Sequence, residues 1–476
     1  MTQPIYQKLA NNLQQQINQG NLSPGDKLPS VRRLSSEHKV SPGTVLNCYS
    51  LLEQMELIEA RPQSGYYVLQ PKPDLMRHPS VMKPVSNPVN VTMGDLALQV
   101  ITATDNPTGT PMGPAYPSNE FSLSRQLWKE FGRQTRQHAS AQTPHASPLG
   151  YSVPPGDTEL IRQLARHYGP LSLDINPESI VITNGCQEAL NLSLQAVTKP
   201  GDIVAVESPV FYGTLQLMEA LGLKVIEIPA TPEQGISLEA LKMALQQWPI
   251  KAIFLSANIG NPLGYLMPDS HKEALVQLLQ QYDLPLIEDD VFGDLAYTQG
   301  RPLPVKAFDK DGRVLWCSSI SKTIDPAIRI GWLSAGRYHD RVRYLKYVST
   351  MASPTIPQRA TAKILQGSGY YRHLRIIRDS YRKRRDQMIS WTQRYMPEAT
   401  RMTFPQGGFL LWLELPEGCC NSLEIYHRAL EQQISIAPGI LFSASNNYHR
   451  CIRLNYACAD NEDYGQAIRT LSGLLQ

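Results

Sequence analysis

The sequence contains no long apolar run, little net charge and few cysteines. No apolar stretch approaches the roughly 20 residues of a membrane-spanning helix, and the first twenty residues are polar, without the apolar core of a signal peptide. The net charge is only +3 in 476 residues, so any surface for nucleic acid must be local. We therefore expect a cytoplasmic protein that makes no membrane contact.

The cysteine content argues against a disulfide framework. The chain has seven cysteines, an odd number, and they lack the paired spacing of a metal site. Reduced thiols in a reducing compartment, and no bound metal, are the expectation. Hydrophobic residues make up 42% of the chain, which is enough for a sizeable core, and the length favours two or three domains.

A proline-rich stretch divides the chain. Residues 71–90 contain five prolines and no sustained period, which predicts an extended, semi-rigid linker between residues 1–70 and residues 91–476. Continuous hydrophobicity is typical of strands buried on both faces, so the long part is predicted to contain a mostly parallel α/β sheet. Its apolar runs, which alternate with helical patterns, are 179–183, 202–206, 251–257, 285–288 and 313–317.

The short N-terminal part has the pattern of three helices and a β-hairpin. The second helix is predicted to begin at Ser30, and the third has Ser41 as its N-cap and Pro42 at its first position. Two strand-like stretches, 57–61 and 65–69, follow. The first helix is indicated by apolar residues at helical spacing, namely Ile5, Leu9, Leu13 and Ile17. Together these elements predict a winged helix-turn-helix.

A more specific signal lies in LPSVRRLS (28–35), VSPGTVLNCYSLLEQMELI (40–58) and SGYYV (64–68). These stretches resemble the GntR family of bacterial transcription regulators, and the resemblance covers almost all of residues 4–69. It implies that Arg32 contacts DNA bases or phosphates, with Arg33 nearby.

Further DNA contacts are predicted at the helix ends and in the wing. The helix N-termini at Ser30 and Ser41 present free N–H groups to phosphates. The wing, with Arg61 at its base and Gly65 in its second strand, can reach the adjacent groove or backbone. A winged helix used only for protein contacts is the alternative interpretation.

The third helix departs from the family pattern. GntR relatives often place arginines in its first turn, where this chain has Pro42, Gly43 and Leu46. We therefore expect sequence preference to depend more on Arg32, Thr44 and the wing than on guanine contacts by this helix.

A lysine in SSISKTIDPAIRIGW (318–332) lies where no charged helix face is predicted. Lys322 follows a serine run and precedes the turn-forming pair Asp325 and Pro326. A pyridine-aldehyde cofactor needs four things from a protein: a lysine for a Schiff base, an anion at the ring nitrogen, a phosphate cradle and packing on the ring face. Lys322 is the candidate for the first.

The other requirements have candidates mostly just beyond predicted strands, where open α/β sheets bind ligands. Asp289 would keep the ring nitrogen protonated, Asn261 can bond the ring hydroxyl, and Phe211 can stack on the ring. Singly, each residue has an ordinary structural explanation, but jointly and in this order they favour the cofactor. The candidates for the phosphate are N–H groups at a helix start and two side chains near Lys322, namely Gly185, Cys186, Gln187, Ser319 and Arg329.

These residues, together with GYSVPPGDTELIRQLA (150–165) and IRLNYA (452–457), strongly resemble the fold-type I aminotransferases, which use pyridoxal 5′-phosphate (PLP). The resemblance covers roughly residues 110–475. It implies a large α/β domain with a mostly parallel sheet, a smaller C-terminal α+β subdomain at about 365–476, and a homodimer with its sites at the subunit interface.

The same resemblance assigns roles to individual residues. Lys322 is the PLP lysine, Tyr151 reaches the phosphate of the neighbouring subunit, and Arg453 grips the α-carboxylate of a substrate. Phe292 departs from the pattern, because relatives usually have a tyrosine there that donates to the ring oxygen. We therefore expect PLP binding with weaker tuning for turnover.

A GntR winged helix linked to an aminotransferase-like domain resembles the MocR subfamily. The resemblance implies a PLP-dependent transcription regulator that binds a double-stranded DNA operator and senses an amino acid or amine effector through Lys322. The alternative is a working aminotransferase with an accessory N-terminal winged helix, because Lys322, Asp289 and Arg453 are all present. A regulator that has lost the cofactor agrees less well with the complete set of residues.

Overall fold

The computed structural model describes most of the chain. The described residues are 4–18, 21–55, 57–61, 64–69, 78–82, 87–102, 109–140, 151–171, 177–459 and 462–475. Most of the predicted linker and the predicted wing turn at Pro62 and Gln63 lie outside them. Among the helices in these segments, none combines the length and the apolar character needed to cross a bilayer.

The N-terminal unit has three helices and an antiparallel hairpin, as predicted. Its elements are α1 Ile5–Asn18, α2 Val31–His38, α3 Pro42–Gln54, β1 Ile58–Arg61 and β2 Gly65–Val68. The hydroxyl of Ser30 caps α2 by accepting from Arg33 N at 3.2 Å, and that of Ser41 caps α3 by accepting from Thr44 N at 3.1 Å. The core of the unit is the apolar face of α3, with Val45, Cys48, Tyr49 and Leu52 fully buried.

The strands in the described residues after the N-terminal unit form one large sheet and two small ones. The large sheet has nine strands in the order β3-β7-β6-β9-β10-β11-β12-β5, with β8 on β7. In chain order the strands are β3 Val89–Asn90, β4 Thr110–Pro111, β5 Ile180–Thr183, β6 Ile203–Ser208, β7 Lys224–Thr231, β8 Gly235–Ile236, β9 Ile250–Leu255, β10 Leu286–Asp289, β11 Val314–Ser319, β12 Gly331–Ser334, β13 Arg401–Met402, β14 Leu410–Glu414, β15 Ile434–Ser435, β16 Ala437–Pro438 and β17 Cys451–Asn455.

The middle of the large sheet is parallel. Strands β7, β6, β9, β10 and β11 are parallel neighbours, and every residue of β6, β10 and β11 is buried. All five predicted apolar runs are strands of this sheet, so the prediction of a mostly parallel α/β domain is confirmed. Antiparallel β12 lies between β11 and β5, which makes β5 run in the same direction as β11.

Helices cover both faces of this sheet. Successive residues of β6 belong to different cores, since Ala205 packs into one and Val204 and Val206 into the other. In chain order the helices are α4 Leu96–Thr102, α5 Ser122–Ser140, α6 Thr158–Tyr168, α7 Cys186–Val197, α8 Tyr212–Ala220, α9 Leu238–Gln247, α10 Asp269–Tyr282, α11 His339–Thr350, α12 Thr355–Leu365, α13 Gly369–Tyr395, α14 Ser422–Glu431 and α15 Glu462–Gly473.

A smaller unit follows α13. Its four-stranded sheet has the order β13-β14-β17-β16, and the parallel pairing of β15 with β4 joins it to a segment that lies between β3 and β5 in sequence. Strands β13 to β17 lie within the predicted α+β subdomain. Asn455, at the end of β17, donates from its backbone N to Met112 O and from Nδ2 to Tyr116 O, both at 2.8 Å.

The end of the predicted linker differs from expectation. Val89 and Asn90 form β3, which pairs with Val225 and Lys224 at the edge of the large sheet. The linker therefore ends before Val89 and not at residue 90. A strand of two residues is too short to produce a hydrophobic period, and Pro88 beside it indicates a loop; proline is nevertheless compatible with an edge strand.

Candidate cofactor site and DNA-binding surface

The predicted cofactor residues lie at one edge of the large sheet. Asp289 ends β10, Ser319 ends β11, and Gly185 follows β5. Because these three strands run in the same direction, their carboxyl ends meet at one edge of the sheet. Lys322, three residues beyond β11, interacts electrostatically with Asp289 and with Arg329. The structure thus brings together residues that are more than a hundred positions apart in sequence.

Lys322 is partly buried, and its amine is held by the backbone. Its Nζ donates to the carbonyl oxygen of Ala115 at 2.8 Å. Burial, aided by the positive charge of Arg453, lowers the pKa of the Lys322 amine from 10.5 to about 8, while Asp289 opposes the shift. A larger fraction of the amine is therefore uncharged near neutral pH than in an ordinary lysine, as a nucleophilic amine requires.

Asp289 is a buried carboxylate without a basic partner at hydrogen-bonding distance among the described residues. It accepts from the backbone N of Val291 at 3.3 Å and from Cys186 Sγ at 3.7 Å. Burial raises the pKa of Asp289 to about 6, and the Val291 N–H opposes the shift. A cationic ring nitrogen beside this carboxylate would relieve the cost of burying its charge.

The start of α7 forms a cradle beneath Arg329. Gly185 has φ of +80°, and no side chain caps the helix, so its first N–H groups, at Cys186 and Gln187, are available to an anion. A side chain at position 185 would collide with the Arg329 guanidinium, which donates to the carbonyl oxygen of Asn184 at 3.1 Å. The uncapped helix end, the guanidinium and the nearby Ser319 hydroxyl fit a phosphate dianion.

Arg453 is fully buried on β17 and has no carboxylate partner among the described residues. Its Nη1 donates to Asn261 Oδ1 at 3.1 Å and its Nη2 to Gly113 O at 2.6 Å, but Nε has no partner. The guanidinium lies 5.6 Å from the ring centre of Tyr212 and 5.0 Å from that of Phe442. Burial lowers the pKa of Arg453, and Tyr212 opposes the shift. An unpaired buried donor of this kind favours an anionic ligand.

The structure gives Asn261 a partner that the sequence did not indicate. Its side-chain oxygen accepts from Arg453, so Asn261 orients the predicted carboxylate-binding group. Bonding to a cofactor ring hydroxyl, the role predicted for Asn261, stays a prediction.

The aromatic candidates occupy different places. Phe211 begins the turn into α8, and its ring lies 4.8 Å from that of Tyr212. Phe292 is buried, with its ring centre 5.9 Å from Lys322 Nζ and 5.3 Å from the ring of Phe409. Tyr151 is 76% exposed, so it is available to a second subunit, and its predicted role across an interface stays a prediction.

The segment that covers the site was not predicted. The carbonyl oxygens of Gly113 and Ala115 accept from Arg453 and Lys322, and a side chain at position 113 would collide with the backbone of Ile436. Asn455 Nδ2 holds the same segment by donating to the carbonyl oxygen of Pro114 at 2.7 Å. Backbone carbonyls carry no side-chain signal, so only the tertiary structure identifies them.

An ionic network behind Asp289 was also missed. Asp290 accepts from Arg301 at 2.5 Å and from Trp316 Nε1 at 2.6 Å, and Asp294 accepts from Arg301 Nε at 2.7 Å. All four residues are buried or nearly so, so the network fixes the loop that follows β10. The acidic stretch EDDVFGDL was the available signal, since buried carboxylates require partners.

The winged helix presents its predicted residues at the surface. Arg32 is exposed and makes no ion pair with any described residue, whereas Arg33 pairs with Glu37 at 2.7 Å. Arg61 pairs with Glu59 at 2.7 Å. Arg32 therefore has the least compensated charge of these three arginines.

Other predicted DNA residues are at the helix starts and the wing. The Ser41 hydroxyl lies 2.9 Å from that of Thr44 and caps α3, so both are at the exposed N-terminus of that helix. Ser30 has the same position on α2, and Gly65 is exposed at the start of β2. Their predicted DNA contacts stay predictions.

Comparison with known proteins supports the predicted family of each of the two parts of the chain. The family model for aminotransferase class I and II matches residues 120–471, and the model for bacterial regulatory proteins of the gntR family matches residues 5–68. The uncharacterized HTH-type transcriptional regulator YjiR of Escherichia coli (strain K12) is 41% identical over 473 residues, which cover 98% of this chain and 97% of YjiR. The chain belongs to the MocR subfamily of GntR regulators.

Other relatives agree with a MocR architecture. The uncharacterized HTH-type transcriptional regulator YdcR of the same organism is 39% identical over 471 residues, which cover 99% of both chains. Among solved structures, the α-aminoadipate aminotransferase LysN of Thermus thermophilus has a TM-score of 0.72 and 25% identity, covering 80% of this chain and 95% of LysN. This MocR chain is thus a GntR-type DNA-binding regulator fused to a PLP-dependent aminotransferase-like domain, and the cofactor predicted from the sequence is confirmed.

Proposed function

We propose that this regulator senses an amino acid or a close analogue at the Lys322 site and that occupancy of the site changes its binding to operator DNA. The observation that carries the proposal is Arg453, which is fully buried, has no carboxylate partner among the described residues and keeps an unpartnered Nε. A guanidinium in this state requires an anion, and its electrostatic interaction with Lys322 indicates that it lies close to the amine. An α-amino acid carries both a carboxylate and an amine.

Each residue of the site has a different role in this proposal. PLP, when bound, supplies an aldehyde that condenses reversibly with primary amines. Lys322 offers a weakly basic amine, Asp289 provides the negative charge for the ring nitrogen, and Arg329 with the start of α7 holds the phosphate. Arg453 binds the carboxylate of the effector in place of the Gly113 carbonyl.

The contacts of the linker support a connection to the DNA-binding unit. Ser80 donates to Glu414 from its backbone N at 2.6 Å and from its hydroxyl at 2.8 Å. Glu414 ends β14, which pairs along its length with β17, the strand that carries Arg453. A shift of β17 on effector binding would therefore be passed to the described linker segment and towards the winged helix.

A homodimer is part of the proposal. The support is Tyr151, which is 76% exposed beside the half-exposed Val153, both in the stretch expected to reach a neighbouring subunit. Two winged helices on one dimer would bind two half-sites of an operator.

Transamination is the second candidate function, and one set of residues favours it. Lys322, Asp289 and Arg453 are all in place, yet the buried Phe292 ring supplies no hydroxyl near Lys322. We expect turnover of an amino acid with a keto acid to stay below about 1 per second, the lower end of typical enzyme rates.

The test is a genome-wide selection of bound DNA fragments, followed by titration of a selected duplex and a scrambled duplex with the PLP-loaded protein. The titration is repeated without PLP and with a panel of amino acids and amines. A site preference that changes with PLP and with at least one amino acid supports the proposal. No preference for any site, together with sustained transamination at about 1 per second or faster, would establish the enzyme interpretation.

A further inference from the structure

A cavity of about 320 Å³ lies between α13 and the loop at residues 297–300, and none of its lining residues belongs to the candidate cofactor site. One wall is formed by Arg375, Arg378 and Arg382, which share a face of α13 because they are three and four residues apart. The other wall is the loop from Tyr297 to Gly300. Nothing in the proposed function requires three arginines at this place.

The positive charge in this cavity is not balanced. Among the described residues of its wall, Asp379 is the only acidic one, so three guanidinium groups face one carboxylate. Asp379 approaches Arg382 at 3.4 Å, and both side chains are more than half exposed, so this ion pair is weak. Arg375 makes no ion pair with any described residue. The side chains that line the cavity therefore carry an excess of two positive charges, and the buried Asp294 behind them attracts Arg378.

Arg378 anchors the inner end of the cavity. It is half-buried, and its Nε donates to the backbone carbonyl oxygen of Asp294 at 2.6 Å, which fixes the plane of the guanidinium. Burial lowers the pKa of Arg378. A fixed and partly desolvated guanidinium binds an oxyanion more strongly than a freely moving surface arginine, because less side-chain entropy is lost.

The loop on the other side is held in shape by the interior of the domain. The Tyr297 hydroxyl donates to Gly408 O at 2.6 Å, and Thr298 Oγ1 donates to Gly300 O at 2.9 Å. Arg301, the next residue, is the buried partner of Asp290 and Asp294. The loop wall and Arg378 are therefore preformed, whereas Arg375 and Arg382 are exposed side chains that can turn towards a ligand.

We propose that this cavity binds a small phosphate monoester, with the phosphate between Arg375, Arg378 and Arg382. A phosphate dianion matches the excess charge, and planar guanidinium forks match its oxygen atoms. The remaining volume accommodates a small organic group, not a polymer.

The position of the cavity connects it with regulation, and this step rests on the proposed function. Lys383 follows Arg382 on α13 and forms an ion pair at 3.1 Å with Asp26, in the turn before α2 of the winged helix. A ligand that draws Arg382 inwards would act next to this contact between the two units. The phosphate monoester would thus be a second effector, separate from the amine at Lys322.

The DNA backbone is the competing occupant. Arg375, Arg382 and Lys383 are exposed basic side chains of α13 that duplex DNA would also attract. Arg378 favours the small ligand, because it is half-buried within a wall that a duplex surface would not enter.

The test uses the full-length protein with its cofactor fixed by borohydride, so that the cofactor's own phosphate occupies the cradle at α7. Inorganic phosphate and, separately, glycerol 3-phosphate are titrated by calorimetry into the wild type, the double variant Arg375→Gln/Arg382→Gln and the control variant Arg372→Gln. Arg372 is exposed on the same helix but does not line the cavity.

We expect both probes to bind the wild type and the control equally, and the double variant to bind at least about tenfold more weakly. Absence of binding at about 20 mM, well above the concentrations at which proteins usually bind metabolites, would overturn the proposal. So would equal binding by all three proteins, or equal loss in the control, which would indicate an adventitious ion only. If the probes do not bind and the double variant instead lowers the salt slope of duplex binding by about two, the face contacts DNA. These results do not depend on a response to amino acids, so they are separable from failure of the proposed function.

Discussion

Three buried side chains indicate that the large domain of this DNA-binding chain is built to hold a cofactor and a ligand. Lys322, Asp289 and Arg453 each carry a charge in a place where burial disfavours it, and none has an opposite charge at hydrogen-bonding distance among the described residues. Burying charged groups in this way costs free energy unless a ligand compensates. A cofactor with a ring cation, a reactive aldehyde and a phosphate, and an effector with a carboxylate, supply the missing partners.

The first prediction concerns the covalent attachment of the cofactor. The purified protein should be yellow, and borohydride should fix a pyridoxyl mass on the peptide that contains Lys322, because this amine is the one held among Asp289, Arg329 and Arg453. Peptide mass spectrometry is the measurement. Lys322→Ala should lose the covalent bond and keep weaker binding through Arg329 and the start of α7. A label on another lysine, or a colourless protein after incubation with excess PLP, would contradict the assignment.

The second prediction concerns pH. The pKa of Lys322 is lowered from 10.5 to about 8, so the fraction of uncharged, reactive amine increases as pH rises towards 8. Well above pH 8 nearly all of the amine is uncharged. The rate at which the apoprotein takes up PLP, followed by absorbance, should therefore rise steeply between about pH 6 and 8 and level off by about pH 9. A rate that continues to rise beyond about pH 10 would mean that the amine is an ordinary exposed lysine.

The third prediction concerns the carboxylate of the effector. Arg453→Ala should weaken the binding of an amino acid, followed by its spectral shift, by roughly 2–4 kcal/mol. This is the scale of losing one partner of a buried charge pair. The matched ligand control is the corresponding amine without its carboxylate, whose response should change little. If the variant and the wild type respond equally to the amino acid, the effector does not bind through Arg453.

At the scale of secondary structure, what could be predicted from the sequence depended on local signals. Strands β6 and β11 were predictable because their residues are continuously apolar, and α2 and α3 because Ser30 and Ser41 are strong caps. The two-residue strand β3 was not, since pairing with β7 creates it. The candidate cofactor residues came from side-chain chemistry at strand ends. The covering carbonyls of Gly113 and Ala115 could not be predicted in this way.

The fourth prediction belongs to the winged helix. Arg32 has no ion pair among the described residues, whereas Arg61 is paired with Glu59 and lies 4.4 Å from the ring of Tyr67. Arg32→Ala should cost about 1–3 kcal/mol on the specific duplex and much less on scrambled DNA if Arg32 reads a base. Arg61→Ala should weaken both more evenly and lower the salt slope by roughly one if it contacts only phosphate.

Titration of both duplexes at several salt concentrations measures these effects. Lys8→Ala is the control, because Lys8 is exposed on α1 and is not among the residues predicted to contact DNA. If neither Arg32→Ala nor Arg61→Ala changes binding, the winged helix is not the DNA-binding element, and protein contacts become its function.

For the whole molecule, the central question is how the cofactor domain influences the N-terminal unit. The described part of the linker is attached by Ser80 to Glu414, and Arg450 also reaches Glu414 at 3.2 Å. Arg450 directly precedes β17, the strand of Arg453. The linker contacts β14 and the proposed carboxylate site lies on its neighbour β17, so a displacement of either strand can move the other.

The most direct test of this coupling is operator affinity with and without a saturating amino acid, measured for the PLP-loaded wild type and for Lys322→Arg. The arginine keeps the positive charge but cannot form the Schiff base that anchors PLP, so the variant is dialysed free of PLP before the titration. We predict that the amino acid changes the affinity of the wild type by about 5- to 150-fold, the usual range of coupling between sites, and leaves that of Lys322→Arg unchanged. The same change in both proteins, or no change in the wild type with any amino acid or amine, would contradict the proposal that Lys322 is the sensor.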